Sequence, residues 1–257
     1  MRTRYFVLLV VMFGAMSDSI MAQHYALKSV AGRRIAVTRK YDLMIEADLY
    51  KLISPYKAVV DSLMNSVVGS SDRRMEVYRP ESPLSNWVAD AMVEECELTG
   101  FNVDMGLCNI GGLRGFMPKG EVSVGDVMSI SPFNNKLCIL TLSGANLIRL
   151  FDQIASTGGE CVSAAVSMIV DADKKVERLR LNGKKIKPKR MYRVATIDYL
   201  ADGNDGLSAL KTAEKRVDTG LVLHELMIEN IRRAHLQGRG VDSSVEGRIV
   251  YKDLEGM

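Results

Sequence analysis

The apolar positions of the chain recur at two distinct periods. Between Asp48 and Val68 they fall at Leu49, Leu52, Ile53, Tyr56, Val60, Leu63 and Val67. Steps of three and four place them on one face of a helix. Pro55 either kinks that helix or starts it with Ser54 as cap, and Gly69 to Asp72 are read as its end. The turn Pro80 to Ser85 opens a second helix with Leu84, Val88, Ala91, Met92 and Cys96 on one face, and Gly100 stops it. Val103 to Cys108 reads as a short buried strand and Lys136 to Leu142 as another, separated by a helical turn at Gly125 to Ser129. Ser143 caps a helix with Leu147, Leu150, Phe151 and Ile154 inward. Val166 to Val170, Val176 to Leu181 and Tyr192 to Ile197 are further strands. Asn182-Gly183 is a hairpin signal, because both positions of such a turn take positive φ. Thr219 is expected to cap a last helix with Leu223, Leu226, Met227, Ile231 and Ala234 inward, and Arg248 to Tyr251 to close as a strand. Helices and strands interleave irregularly. This predicts an α+β fold, mixed sheets with flanking helices, rather than a doubly wound parallel sheet.

The N-terminus follows another rule. Arg2 and Arg4 precede an apolar run from Tyr5 to Met16, and Ala22 offers a small residue for cleavage. The run has signal-peptide length and is too short to span a bilayer. Residues 1–22 are therefore predicted to be a signal peptide, 23–46 an N-terminal segment without strong period, and 47–257 the functional domain. The expected location is exported, periplasmic or extracellular, with no membrane span. Apolar residues make up 47% and charged residues 25%, an ordinary globular balance. A formal charge of +3 gives no field for a polyanion, so nucleic acid is not an expected partner. The basic run Lys184 to Arg190 sits beside a turn and reads as a solvated flank. Cys96, Cys108, Cys138 and Cys161 match no CxxC spacing, and the first three fall at apolar positions. Export permits disulfides, but the spacing selects no pair.

Two loops carry chemistry. The strand ending at Cys108 runs into Asn109-Ile110-Gly111-Gly112-Leu113-Arg114. Paired glycines let backbone approach a ligand, the Asn offers donor and acceptor, and the Arg offers a fork for hydroxyls or anions. Asp202-Gly203-Asn204-Asp205-Gly206 follows another strand, where Asp205 is held to accept bonds from vicinal hydroxyls. Phe133 and Tyr199 lie in or beside loops, and a pair of such rings stacks on any flat heterocycle.

In order and spacing these pieces resemble the C-terminal domain of the 5'-nucleotidase/UDP-sugar hydrolase family. The resemblance runs from about Leu49 to Leu210 and includes Pro80-Glu81-Ser82-Pro83-Leu84-Ser85-Asn86, the Asn-x-Gly-Gly-x-Arg loop, Pro132-Phe133-Asn134-Asn135, Leu142-Ser143-Gly144 and Ala195 to Gly206. It implies that Phe133 and Tyr199 clamp a base, with Asn109 and Asn135 beside it. It implies that Asp205 takes ribose hydroxyls, that Arg114 reaches the ribose or phosphate side, and that Gly111 and Gly112 shape the loop. Arg79 falls near the place where the family has a further phosphate-side arginine, but the register does not fix the match and it is left unassigned. Two positions depart from the family pattern: Asn204 replaces a usual Gly, and Tyr199 a more frequent Phe.

In that family hydrolysis belongs to a separate metallophosphatase domain, where two metal ions activate water. His24, His224 and His235 are the only histidines, with no Asp-x-His or Gly-Asn-His segment, so no cofactor is expected in this chain. Divalent metals are expected only in a partner. Two readings follow. The chain is either the nucleotide-recognition part of a 5'-nucleotidase-type phosphoesterase completed by a separately encoded metallophosphatase chain, or a non-catalytic exported module that binds nucleosides.

Overall fold

The structure is a computed structural model and describes residues 28–38 and 46–252. The predicted signal peptide lies outside those residues. The chain divides into two compact units, Met1–Leu52 and Ile53–Met257. In the first, residues 28–38 are exposed and carry no regular secondary structure.

Helix α1, Ala47–Met64, begins in the first unit and ends in the second, with Pro55 inside it rather than at its start. None of its residues is buried. Its apolar spacing forms the expected face, yet Tyr56, Val59 and Leu63 remain 73%, 61% and 59% exposed.

The second unit is built on a five-stranded mixed sheet. Its strands are β2 (Met105–Cys108), β4 (Lys136–Ser143), β5 (Cys161–Val162), β8 (Met191–Ile197) and β9 (Lys215–Val222), in the spatial order β5-β2-β8-β4-β9. A three-stranded sheet joins β10 (Ile249–Tyr251), β6 (Val166–Val170) and β7 (Val176–Leu181), and β1 (Val67–Ser71) pairs with β3 (Gly120–Ser123). Helix α2, Pro83–Leu98, packs against β2 and β5. A capping box starts it: the Ser82 hydroxyl accepts from the Ser85 amide at 3.2 Å and the Ser85 hydroxyl from the Ser82 amide at 3.0 Å. Helix α3 is Val124–Ile130 and α4 is Gly144–Thr157, the latter opened by Ser143 as predicted, with Phe151 and Ile154 fully buried. The short helix α5 is Asp198–Ala201, and α6 is Leu223–Leu236.

Two local expectations are corrected. Gly69 does not stop α1; it lies inside β1, where a Cβ would stand 2.7 Å from Ile231 Cγ2 of α6, so glycine allows the strand to meet the helix. Thr219 does not cap α6; it lies in β9 and its hydroxyl donates to the Leu137 carbonyl at 2.7 Å. The Asn182-Gly183 turn forms as expected, with φ of 49° and 72° and the amides of Leu181 and Lys184 each donating to the other's carbonyl at 2.9 and 3.0 Å; the ladder beyond it is one bridge long, and the strand partner of β7 is β6.

Candidate functional site

Three loops meet at one rim of the five-stranded sheet. β2 and β8 run parallel with Met105 opposite Val194, and β4 runs against β8 with Leu137 opposite Ile197. That register puts the C-terminal ends of β2 and β8 beside the start of β4. The segments carrying Asn109 to Arg114, Phe133 to Asn135, and Tyr199 to Asp205 leave from those three ends. They enclose a cavity of about 330 Å³ lined by Asn109, Gly111, Gly112, Arg114, Phe133, Asn135, Tyr199 and Asp205. The eight residues singled out in the sequence therefore share one concavity. Its volume sits at the small end of the roughly 300–1,000 Å³ range of small-molecule sites.

Asp205 is the hub of the cavity's hydrogen bonds. Asn109 Nδ2 donates to its Oδ2 at 2.6 Å, and the Tyr199 hydroxyl donates to its Oδ1 at 2.9 Å. A carboxylate oxygen accepts about two bonds, so each oxygen keeps one place for a ligand hydroxyl. Asp205 adopts φ of 53°, a left-handed conformation that Asp tolerates better than most side chains. Asn204 Nδ2 donates to the Tyr199 carbonyl at 2.7 Å, so this departure from the family loop ties the loop together. Asn109 is only 5% exposed, and its amide N–H serves Asp205.

The Tyr199 phenol is held above the ordinary tyrosine range, first by its hydrogen bond to Asp205, then by that carboxylate's charge, then by burial. The neutral, donating form therefore persists to higher pH than in a free tyrosine. Asp205→Asn is expected to bring the Tyr199 titration back down. Tyrosinate absorbance, taken as the difference from Tyr199→Phe, checks this. An unchanged midpoint would show that the carboxylate does not hold the phenol.

Phe133 and Tyr199 keep 43% and 42% of their surface exposed. The Phe133 loop is anchored from below by α6: the Leu223 amide donates to the Asn135 carbonyl at 2.9 Å, and His224 Nδ1 lies 3.3 Å from the Phe133 carbonyl oxygen. The Arg114 guanidinium carbon lies 5.6 Å from the centre of the Phe133 ring, within cation–π range. Its side chain is exposed. Arg114 thus brings a positive charge to the cavity, beside the Asp205 carboxylate in the same lining.

The turn behind the cavity is set by Gly112 and Glu160. A Cβ on Gly112 would stand 2.6 Å from Asn109 Oδ1 and push that side chain off Asp205. A Cβ on Gly111 meets nothing nearer than Asn109 Nδ2 at 3.9 Å and Asp205 Oδ2 at 4.0 Å, so its missing side chain leaves cavity space rather than relieving a clash. Glu160 is a buried acid that no motif of the sequence marks. It is 2% exposed; Oε2 accepts from the Ile110 amide at 2.7 Å and Oε1 from Arg79 Nη2 at 2.8 Å. Arg79 therefore sits behind the turn, bonded to Glu160 and the Gly159 carbonyl, and lines a different groove. The available signal was an acid wedged between Gly158-Gly159 and Cys161-Val162, a setting too apolar for a solvated carboxylate. Glu160→Gln keeps an acceptor for Ile110 but not the charge facing Arg79. An expected loss of about 1–3 kcal/mol follows for a charged hydrogen bond, read as a lower urea midpoint.

Among the described residues, no group of three or more His, Cys, Asp or Glu is placed to hold a metal ion, and no helix is long and apolar enough to cross a membrane.

A family model described as 5'-nucleotidase, C-terminal domain, matches residues 64–212. The chain is 24% identical over 211 residues to Protein UshA of Yersinia enterocolitica, covering 80% of this chain and 38% of that protein. It is 28% identical over 217 residues to the trifunctional nucleotide phosphoesterase protein YfkN of Bacillus subtilis, covering 77% of this chain and 14% of that one. Among solved structures, the 5'-nucleotidase precursor from Thermus thermophilus shares the fold with a TM-score of 0.69 at 26% identity, over 79% of this chain and 43% of that one. The chain thus spans less than half the length of each of these relatives.

Proposed function

Because the chain belongs to the 5'-nucleotidase C-terminal domain family, we propose that its cavity recognises a nucleoside or nucleotide, as the recognition part of a 5'-nucleotidase-type phosphoesterase in nucleotide catabolism. The observation that carries this reading is the convergence of two rings, one carboxylate with two open acceptor places and one arginine on a single cavity. Phe133 and Tyr199 supply stacking faces for a base. Asp205 takes the two vicinal hydroxyls of ribose, held in place by Asn109 and by the Tyr199 hydroxyl. Asn135 offers a polar group near the base, and Arg114 meets the phosphate side.

Hydrolysis, in this proposal, is supplied by a separately encoded, likewise exported metallophosphatase chain that carries the divalent metals and the activated water. The exposed apolar face of α1 at Tyr56, Val59 and Leu63 is its docking surface. Burying such a face against a partner recovers roughly 25 cal/mol for each Å² of apolar area removed from water.

The test has two stages. Calorimetry with adenosine and AMP on the isolated chain is expected to show binding. Mixing the chain with an exported metallophosphatase of the same organism is expected to raise the rate of AMP hydrolysis. Binding without a rate gain would favour the other reading, a non-catalytic nucleoside-binding module. Absence of binding by the intact chain would remove both. Tyr56→Glu together with Leu63→Glu is expected to abolish the rate gain while leaving adenosine affinity unchanged, since neither residue lines the cavity.

A further inference from the structure

Two of the four cysteines meet across a strand pair directly behind the binding turn. β5 pairs antiparallel with β2, and Cys161 stands opposite Cys108 in the register. Opposed residues in such a ladder have Cα atoms about 4.5–5.5 Å apart, with side chains on the same face. A disulfide spans about 4.4–6.8 Å between Cα atoms. Both thiols are free in the structure, and the register of the pair falls within the range a disulfide spans. The two residues are 1% and 0% exposed, so both thiols lie in the core side by side with no competing solvent. Cys96 and Cys138 have no such relation: Cys96 lies on α2, and Cys138 stands opposite Thr196 and Asp218.

The place is informative. Cys108 immediately precedes Asn109, and Cys161 immediately follows Glu160, whose carboxylate accepts from the Ile110 amide at 2.7 Å. The thiol pair and that hydrogen bond are successive rungs between the two strand ends. We infer that Cys108 and Cys161 form a disulfide site, and that closing it during folding staples β5 to β2 and fixes the turn bearing Asn109, Gly111 and Gly112.

The chemistry is thiol–disulfide exchange. One cysteine thiolate attacks a sulfur of an oxidant disulfide, either a small-molecule disulfide or the disulfide of an oxidase, and expels one thiolate. The second cysteine then attacks the mixed disulfide and expels the other. The protein loses two hydrogens, and the oxidant gains them as two thiols. Burial pushes the Cys161 thiol well above the ordinary range, so the thiolate needed for attack is scarce in the finished fold. Exchange therefore belongs to the folding chain, while both thiols are still hydrated. This inference does not depend on what the cavity binds.

The test refolds the full chain from denaturant with oxidised and reduced glutathione, alkylates it under denaturing conditions and maps the peptides by mass spectrometry. A linked Cys108–Cys161 peptide pair is expected, with Cys96 and Cys138 alkylated. The oxidised protein is expected to melt about 5–10 °C above its reduced form. Cys108→Ser/Cys161→Ser, melted without reductant, is expected to match the reduced protein; should that variant not fold, the peptide map and the oxidised-minus-reduced shift decide. Four alkylated cysteines, a link through Cys96 or Cys138, or a melting temperature indifferent to reduction would overturn the inference.

Discussion

Phe133→Ala is expected to weaken adenosine binding by about 1–3 kcal/mol, roughly five- to 150-fold, because base–aromatic stacking carries that much per base. Tyr199→Ala is expected to weaken it by roughly tenfold or more on the same ground, and it also removes the hydroxyl that holds Asp205. Neither change touches the core: both rings keep more than two fifths of their surface exposed, at 43% and 42%. The urea midpoints of both variants should therefore match the parent chain. The conservative Tyr199→Phe separates the two roles of that residue. It keeps the ring and frees Asp205 Oδ1, so binding should fall only a few-fold, with the loss larger for adenosine than for 2'-deoxyadenosine. The double alanine variant should lose less than the sum of the two single losses, since both rings act on one base and residues that share a partner do not add. Calorimetry across this set checks the reading. Phe133→Ala binding adenosine as tightly as the parent would mean that the base is not stacked there.

The part of the molecule that sequence could reveal is the part that depends on near neighbours. Ser143 capping α4, the inward face Leu147, Leu150, Phe151 and Ile154, and the strands Val166–Val170 and Val176–Leu181 all follow from spacing and local chemistry, and they recur in the structure. The cavity residues were legible for a different reason: each stands in or beside a loop leaving a strand end, and the joint order of those loops identified the family. What could not be read depends on distant packing. Gly69 looks like a helix stop along the chain, and only the approach of Ile231 explains it as a strand glycine. β9 leaves no period in the sequence because it is an edge strand with little buried surface; Lys215, Arg216 and Asp218 face water, and Arg216 pairs with Asp202 and Asp218. The same edge misled the reading of Thr219. Its hydroxyl is spent on Leu137 in the ladder, and α6 begins with no side-chain cap because the Asn135 carbonyl takes the Leu223 amide instead. Glu160 carries little local signal because its partners, Ile110 and Arg79, are 50 and 81 residues away.

Arg248→Ala is expected to be the most destabilising single change at a polar residue. Arg248 is 3% exposed and lies just before β10. Its guanidinium meets Asp90 of α2 with both terminal nitrogens, at 2.9 and 2.6 Å, and Glu246 at 2.9 Å. The same group donates to the Val162 carbonyl of β5 at 2.9 Å. One side chain thus joins the end of the chain, helix α2 and the strand that follows Glu160. Removing one partner of a buried pair costs about 3–5 kcal/mol. The Asp90 and Glu246 side chains keep 40% and 48% of their exposure, so water can reach the carboxylates left behind. The expected loss is therefore at the lower end, about 3 kcal/mol, or about 6–12 °C in Tm for a domain of this size. Arg248→Lys retains the charge but not the planar fork, and should recover less than half of the loss. Urea unfolding of the three proteins measures this directly. Because Val162 is two residues from Glu160, adenosine affinity gives a second readout. If β5 only carries load, affinity of the still-folded variant stays at the parent value. If its carbonyl anchor also holds the binding turn in place, affinity falls in step with stability, and the fall should be smaller in protein whose Cys108 and Cys161 are already joined.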